Sequence, residues 1–181
     1  MQAIQDEKVY HCLIALGGNL GDPLETFPKA IQSLRQSGIY TDLISRMYET
    51  EPVDCGEQPM FINAALVAHT ALEPAVVLEK MLEVEAALGR VRDPGFPHGP
   101  RTLDLDLLLV DNIELHTPSL KLPHPEMHRR AFVLIPACDI AADWVHPIAR
   151  RTLAELLAKL PEAQAAAVRC IPTSAVRGNN I

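Results

Sequence analysis

Within residues 99–110, GPRTLDLDLLLV, leucine and aspartate alternate directly after an arginine. This is the feature that most restricts what the chain can fold into. A β-strand projects successive side chains to opposite faces, so a strand here puts Leu103, Leu105 and Leu107 on one face and Asp104 and Asp106 on the other. The two carboxylates then stand about 7 Å apart, from two rises of roughly 3.3 Å. Such a pair suits a divalent cation, although the same alternation also describes a strand with one face in water.

The rest of the chain reads as elements arranged around that strand. Val9 to Leu16 is a short apolar run ending at Gly17, Gly18 and Asn19, a buried strand entering a tight loop. Asp22 caps a helix that begins with Pro23, carries an apolar stripe of Ala30, Ile31 and Leu34, and ends at Gly38. Ile39 to Tyr48 and Phe61 to His69 have strand character on either side of a segment with prolines and a glycine, which makes a long-looped hairpin. Glu73 and Pro74 open a second helix, in which Val77, Leu78, Met81, Leu82 and Leu88 follow a 3.6-residue period and Gly89 is the stop. The order is β-α-β-β-α-β, so the expected fold class is α+β, a ferredoxin-like core with C-terminal helical and β additions. Right-handed crossovers in that topology bring three loops to one end of the sheet: the loop after the first strand, the hairpin loop, and the loop before the Leu-Asp strand. Beyond Val110 the sequence predicts a hairpin around Asn112, a proline-rich stretch ending at His124 and Pro125, short helical pieces from Arg130, and a helix from Thr152 to Leu160.

With 181 residues and 48% hydrophobic content the chain can bury one sizeable core, so a single domain over 1–181 is expected, with its core at about 9–172 and a frayed tail at 173–181. A net charge of -7 argues against a general nucleic-acid or anionic-membrane surface. Cys12, Cys55, Cys138 and Cys170 form no CxxC pair and read as buried thiols of a reducing compartment. Met1 to Lys8 lack the basic-then-apolar pattern of a secretory leader, and no apolar run approaches the ~20 residues that span a bilayer. The expected location is the cytoplasm and the expected state a monomer, with an oligomer left open.

The three loops carry different equipment. Residues 90–101, RVRDPGFPHGPR, place Arg90, Arg92 and Arg101 around a Gly/Pro-rich loop just before the aspartates. Guanidinium forks suit phosphate oxygens, and beside a metal-holding carboxylate pair they suit a polyphosphate with bridging cations. Arginines in a loop are also commonly just solvated. Gly17, Gly18, Asn19, Leu20 and Gly21 match neither GxGxxG nor a Walker A loop and read as a tight turn. Phe61 and Asn63 offer a stacking face and a paired amide donor and acceptor, which a flat heterocycle can use, or else a core ring and a turn cap. His124 and His128 are four apart, but Pro125 and the displaced Glu126 depart from HExxH, so no zinc site is expected. His124 or Arg130 near a nucleotide phosphate is the better reading.

From about Val9 to Pro147, through LGGNLGD, YETEP, QPMFINAA, GRVR, GPRTLDLDLLL and LPHPEMHRRAF, the chain resembles the 6-hydroxymethyl-7,8-dihydropterin pyrophosphokinase family. The pairing of GPRTLDLDLLL with LPHPEMHRRAF is highly specific. The resemblance implies transfer of a pyrophosphoryl group from ATP to a pterin alcohol in folate biosynthesis, with AMP released and two Mg2+ ions as cofactor. Asp104 and Asp106 correspond to the magnesium-holding aspartates. Arg90 and Arg92 correspond to loop arginines that assist transfer. Arg101, His124 and Arg130 correspond to nucleotide-binding positions, and Leu107 to an aliphatic residue near adenine. On the pterin side, Asn63 corresponds to the amide that reads the ring edge, and Phe61 and Phe132 to the sandwiching aromatics. Thr50, Pro52 and Val53 correspond to the loop whose backbone lines that pocket.

The chain departs from the family pattern at several points. Pro97 and His98 stand where Arg-Trp is frequent, in a loop one residue longer, with Phe96 as a nearby aromatic. Glu51 replaces a frequent proline, and Ser119 stands where an arginine contacts ATP. Two other readings stay open from sequence: a non-catalytic ferredoxin-like module that binds a pterin or nucleotide, and a two-metal phosphotransferase acting on a different flat alcohol.

Overall fold

The computed structural model describes residues 8–52, 58–91 and 99–172. Val53, Cys55, Arg92, Phe96, Pro97, His98 and the 173–181 tail lie outside the described residues.

Strand β1 (Tyr10–Gly18) is the apolar run, and it ends in the two glycines. Helix α1 (Pro23–Gln36) starts where Asp22 accepts a hydrogen bond from the Leu24 amide at 2.9 Å, with proline at its first position. The expected second strand is two pieces, β2 (Tyr40–Ile44) and β3 (Tyr48–Thr50), both antiparallel to β4 (Phe61–Thr70). The cause of the break is Ser45. Its amide donates to the Ala65 carbonyl at 2.9 Å while its hydroxyl accepts from the Ala65 amide at 2.8 Å, so a side chain replaces one ladder carbonyl. Helix α2 (Pro74–Ala87) then leads to β5 (Asp104–Val110).

The strands form an antiparallel sheet in the order β3, β4, β1, β5, with β2 also on β4. One face carries Ile14, Leu16, Leu66, Leu103, Leu105 and Leu107 against α1 and α2. The other carries Leu13, Ala15, Ala65 and Val67 against α3 (Ala131–Ala141) and α4 (Leu153–Leu157). Leucine and aspartate therefore divide between the faces as the alternation requires. On α2 the apolar face is Val77, Met81 and Val84 rather than one that includes Leu82, which is exposed, and Glu85 takes a buried place beside it.

Other expectations are corrected. The hairpin beyond Val110 is centred on Ser119, not Asn112: β6 (Leu115–His116) pairs with β7 (Lys121–Leu122), and Thr117 closes the turn by donating to the Leu120 carbonyl and accepting from its amide, each at 3.0 Å. Helix α4 is shorter than predicted but has a complete capping box between Thr152 and Glu155. Cys12 is buried and Cys138 partly so, whereas Cys170 is exposed. A second small hairpin, β8 (Val145–His146) with β9 (Arg151–Thr152), precedes α4. Helix α5 (Glu162–Ala166) then leads to β10 (Arg169–Cys170), which adds to the sheet beside β3. Among the described residues no helix is long and apolar enough to cross a membrane.

Candidate active site

The three loops meet at one end of the sheet, tied together by Asn19. Its amide nitrogen donates to Gln58 Oε1 at 3.1 Å and to the Pro59 carbonyl at 3.2 Å, and its Oδ1 accepts from the Arg101 amide at 2.9 Å. The Asn19 and Leu20 amides donate in turn to the Arg101 carbonyl at 2.9 and 3.0 Å. Gly18 is required here for space: a Cβ on it would lie 2.7 Å from the Thr102 carbonyl oxygen. The segment read as a plain turn is thus the junction of the site. Asn19, 5% exposed, was not singled out, although an amide after two glycines at a strand end is a signal for such a role.

Strand register sets the functional side chains in a row. Gly17 pairs with Asn63 on one side and with Asp104 on the other, and Ala15 pairs with Ala65 and Asp106. The small residues of β1 leave open the space between the amide and the carboxylates. Asn63 is buried and donates to Thr50 Oγ1 at 2.8 Å. Over this row lies a cavity of about 830 Å³ whose lining includes Thr50, Pro52, Phe61, Asn63, Arg101, Asp104, Asp106, Arg130 and Phe132. Two cation-π pairs frame it, Arg101 over the Phe61 ring at 5.4 Å and Arg130 over the Phe132 ring at 5.8 Å. A second, smaller cleft of about 250 Å³ is lined by Leu78, Leu105, Asp106, Leu107, Ser119, Lys121 and His124. Asp106 belongs to both.

The electrostatics at the carboxylates are densely paired. Arg101 Nη1 lies 3.1 Å from Asp104 Oδ2, and Arg90 Nη1 donates both to Asp104 Oδ1 and to Glu85 Oε1. Arg101 Nε is buried and has no acceptor among the described residues. Burial, followed by the charges of Asp104 and Glu85, pushes the Asp106 carboxyl up to about 6. Burial, followed by the charge of Arg130, holds His124 below its ordinary value, so its ring is neutral at pH 7. Its Nδ1 accepts the Glu126 amide at 3.3 Å, which leaves the ring proton on Nε2 as a donor.

These residues fit a divalent cation by their chemistry. Two hard oxygen ligands stand side by side, one of them costly to ionise without a neighbouring positive charge. Among the described residues no group of three or more His, Cys, Asp or Glu forms a closed cage. An open two-carboxylate site is what a cation shared with substrate phosphates uses.

Of the residues singled out from sequence, Thr50, Pro52, Phe61, Asn63, Arg101, Asp104, Asp106, Arg130 and Phe132 share one cavity, while Leu107 and His124 share the adjoining cleft. Arg90 joins them through Asp104. Val53 and Arg92 lie outside the described residues. Glu85 was missed, although Met81, Val84, Glu85 and Leu88 have the spacing that puts the glutamate on the apolar stripe. Gln164, Ala167 and Val168, near the C-terminus, also line the large cavity and had no sequence signal.

The antiparallel sheet sets an arginine-flanked carboxylate pair beside an amide-and-aromatic cavity, equipment that suits a small-molecule transferase. The particular family follows from comparison with known proteins. Residues 13–142 match the family described as 7,8-dihydro-6-hydroxymethylpterin-pyrophosphokinase (HPPK), and the chain belongs to this family of folate-synthesis pyrophosphokinases. It is 40% identical over 156 residues to 2-amino-4-hydroxy-6-hydroxymethyldihydropteridine pyrophosphokinase of Pseudomonas aeruginosa, covering 86% of this chain and 93% of that protein. It is 35% identical over 158 residues to the folic acid synthesis protein fol1 of Pneumocystis carinii, spanning 87% of this chain and 21% of that protein. In fold it is similar to Plasmodium falciparum HPPK-DHPS, with a TM-score of 0.66 at 13% identity over 84% of this chain and 42% of that one.

Proposed function

We propose that the chain transfers the pyrophosphoryl group of ATP to the hydroxymethyl oxygen of 6-hydroxymethyl-7,8-dihydropterin, releasing AMP, as a step of folate biosynthesis in the cytoplasm. The observation that carries this reading is the position of Asp106, which lines both cavities. A nucleoside in the cleft and a pterin in the larger cavity then meet over the carboxylate pair. The sheet order, with β2 and β3 acting as one interrupted strand, supports a ferredoxin-like core for this arrangement.

Asn63 reads the pterin edge through its amide, with Thr50 fixing the orientation of that amide. Phe61 and Phe132 cover the two ring faces, and Thr50 and Pro52 line the same pocket, a role that the family pattern extends to Val53. Leu107 packs against adenine, while Arg101, His124 and Arg130 take phosphate or ribose oxygens. Asp104 and Asp106 would hold the two magnesium ions, which when bound would supply charge neutralisation for the phosphate oxygens. The pterin hydroxymethyl oxygen forms a bond to the β-phosphorus and gives up its proton to bulk solvent as the bond from that phosphorus to the α,β-bridging oxygen breaks, and AMP leaves carrying the bridging oxygen. Arg90 and Arg92 balance the charge spreading over the transferring group and exclude water that would otherwise hydrolyse ATP. The catalysis is positioning and electrostatics, since the carboxylates near the reacting oxygens are committed to cations and arginines.

The test is incubation with ATP, magnesium and the reduced pterin, following the adenine nucleotide. AMP is expected. ADP would mean an ordinary kinase, and no nucleotide product would mean a binding module. Asp104→Ala and Asp106→Ala are each expected to lower turnover at least about 10²-fold, and wild-type rates in either would remove the metal reading. Arg92→Ala is expected to reduce kcat far more than pterin affinity, and equal losses would make it part of the binding site instead.

A further inference from the structure

We propose that Glu85 is a positioning residue for this reaction: it tethers Arg90 at the carboxylate pair, so that a divalent cation arriving at Asp104 turns the guanidinium toward the polyphosphate instead of releasing it. The inference rests on the reading of Asp104 and Asp106 as cation ligands.

Glu85 is 1% exposed, so its charge is sustained by its partners. Its Oε1 accepts the Leu105 amide at 2.7 Å. Leu105 sits between the two aspartates on β5, which ends the sheet, and the carboxylate takes the place that a carbonyl of a further strand would occupy. The same oxygen accepts from Arg90 Nη1. Arg90 is also fixed through its backbone, because its amide donates to the Glu85 carbonyl at 3.0 Å as α2 ends. One residue thus holds the strand that bears the metal ligands and the arginine that faces them.

Asp104 is occupied at both oxygens, Oδ1 by Arg90 and Oδ2 by Arg101. A divalent cation cannot take an oxygen that a guanidinium already holds without moving that guanidinium. Arg90 has a second carboxylate partner, Glu85, whereas the Asp104 contact is the carboxylate pairing Arg101 shows among the described residues. Displacing Arg90 from Asp104 therefore leaves it paired and rotated about Glu85, with donors freed beside the phosphates. Capping the Leu105 amide requires only an oxygen acceptor. The full charge is what pairs with the Arg90 guanidinium.

Three variants of the full chain test this: E85Q, which keeps an acceptor for Leu105, R90A, and the two combined. Titration with Mn2+ alone, read by loss of the free-ion paramagnetic signal, is expected to show about tenfold tighter binding in R90A, where no guanidinium is displaced. E85Q is expected to melt within a few degrees of wild type and to lose roughly 10²-fold in kcat with little change in pterin KM. In the R90A background E85Q is expected to cause no further loss of kcat, because it acts through Arg90. Additive losses, a wild-type kcat in E85Q, or unchanged Mn2+ affinity in R90A would each overturn the proposal. If E85Q does not fold, E85D, which keeps the charge and loses reach, replaces it in the cycle with the same expectations. A wild-type chain that binds no Mn2+ and forms no AMP would instead remove the proposed function.

Discussion

At the scale of single residues, the carboxylate pair was legible because a strand writes its faces directly into its sequence. Leu103, Leu105 and Leu107 are buried against the helices, and Asp104 and Asp106 face the cavity. Glu85 was less legible, since a glutamate on a helix normally reads as solvated and two of its partners, Arg90 and Leu105, lie outside that helix. Crowding of these charges has a measurable consequence at Asp106. Its carboxyl titrates near 6 in the fold, first through burial and then through Asp104 and Glu85, against 3.8 as the ordinary value. The folded protein therefore binds more protons than the unfolded chain between those limits, and metal-free stability falls as pH rises through that window. Melts in chelator are expected to show the wild type losing Tm relative to Asp106→Asn between about pH 4 and pH 7. In the proposed reaction magnesium needs the ionised carboxylate, so a stabilising effect of magnesium is expected above about pH 6 and lost below it. Parallel Tm profiles for the two proteins would contradict this assignment.

At the scale of elements, helix starts and stops were readable because caps are local chemistry. Asp22 and Pro23 open α1, and the glycines after α1 and α2 close both helices. The interruption between β2 and β3 was not readable, because it depends on the Ser45 hydroxyl finding Ala65 across the sheet. The end of α2 connects element geometry to the site. Gly89 has φ +87°, its amide donates to the Ala86 carbonyl at 3.1 Å, and Arg90 follows with its amide on the Glu85 carbonyl, a Schellman closure. Gly38 closes α1 in the same way, also at φ +87°, with its own amide on Arg35 and that of Ile39 on Leu34. Gly89→Ala and Gly38→Ala are therefore each expected to cost about 1 kcal/mol, or roughly 2–4 °C in Tm. They are expected to differ in catalysis. Gly89→Ala shifts Arg90 and lowers kcat well beyond its effect on folding, while Gly38→Ala, at the far side of α1, leaves kcat unchanged. Equal kcat values in the two variants would show that the helix end does not position Arg90.

At the scale of the whole molecule, convergence of three loops at one end of the sheet was derivable from crossover handedness, and Asn19 now ties those loops together. The return of the C-terminal segment was not derivable. Helix α5 has five residues, none of them buried, and β10 has two exposed residues, too short for either a helical or a strand period to show. Yet this segment, beyond the family match that ends at residue 142, extends the sheet beside β3 and sets Gln164, Ala167 and Val168 into the wall of the large cavity. Both hydrophobic clusters are formed by residues up to Leu160, so removing everything after Leu160 is expected to leave the fold and the cation site intact. The cavity that holds the pterin in the proposed reaction would lose the part of its wall that Gln164, Ala167 and Val168 form. The expected result is a rise of about tenfold in pterin KM, equivalent to ~1.4 kcal/mol of lost binding, with kcat and Mn2+ affinity little changed. Gln164→Ala separates the parts of that effect: a rise close to that of the truncation assigns it to the amide, and a small one assigns it to enclosure by Ala167 and Val168. An unchanged KM in the truncated protein would show that the C-terminal segment borders the cavity without contributing to binding.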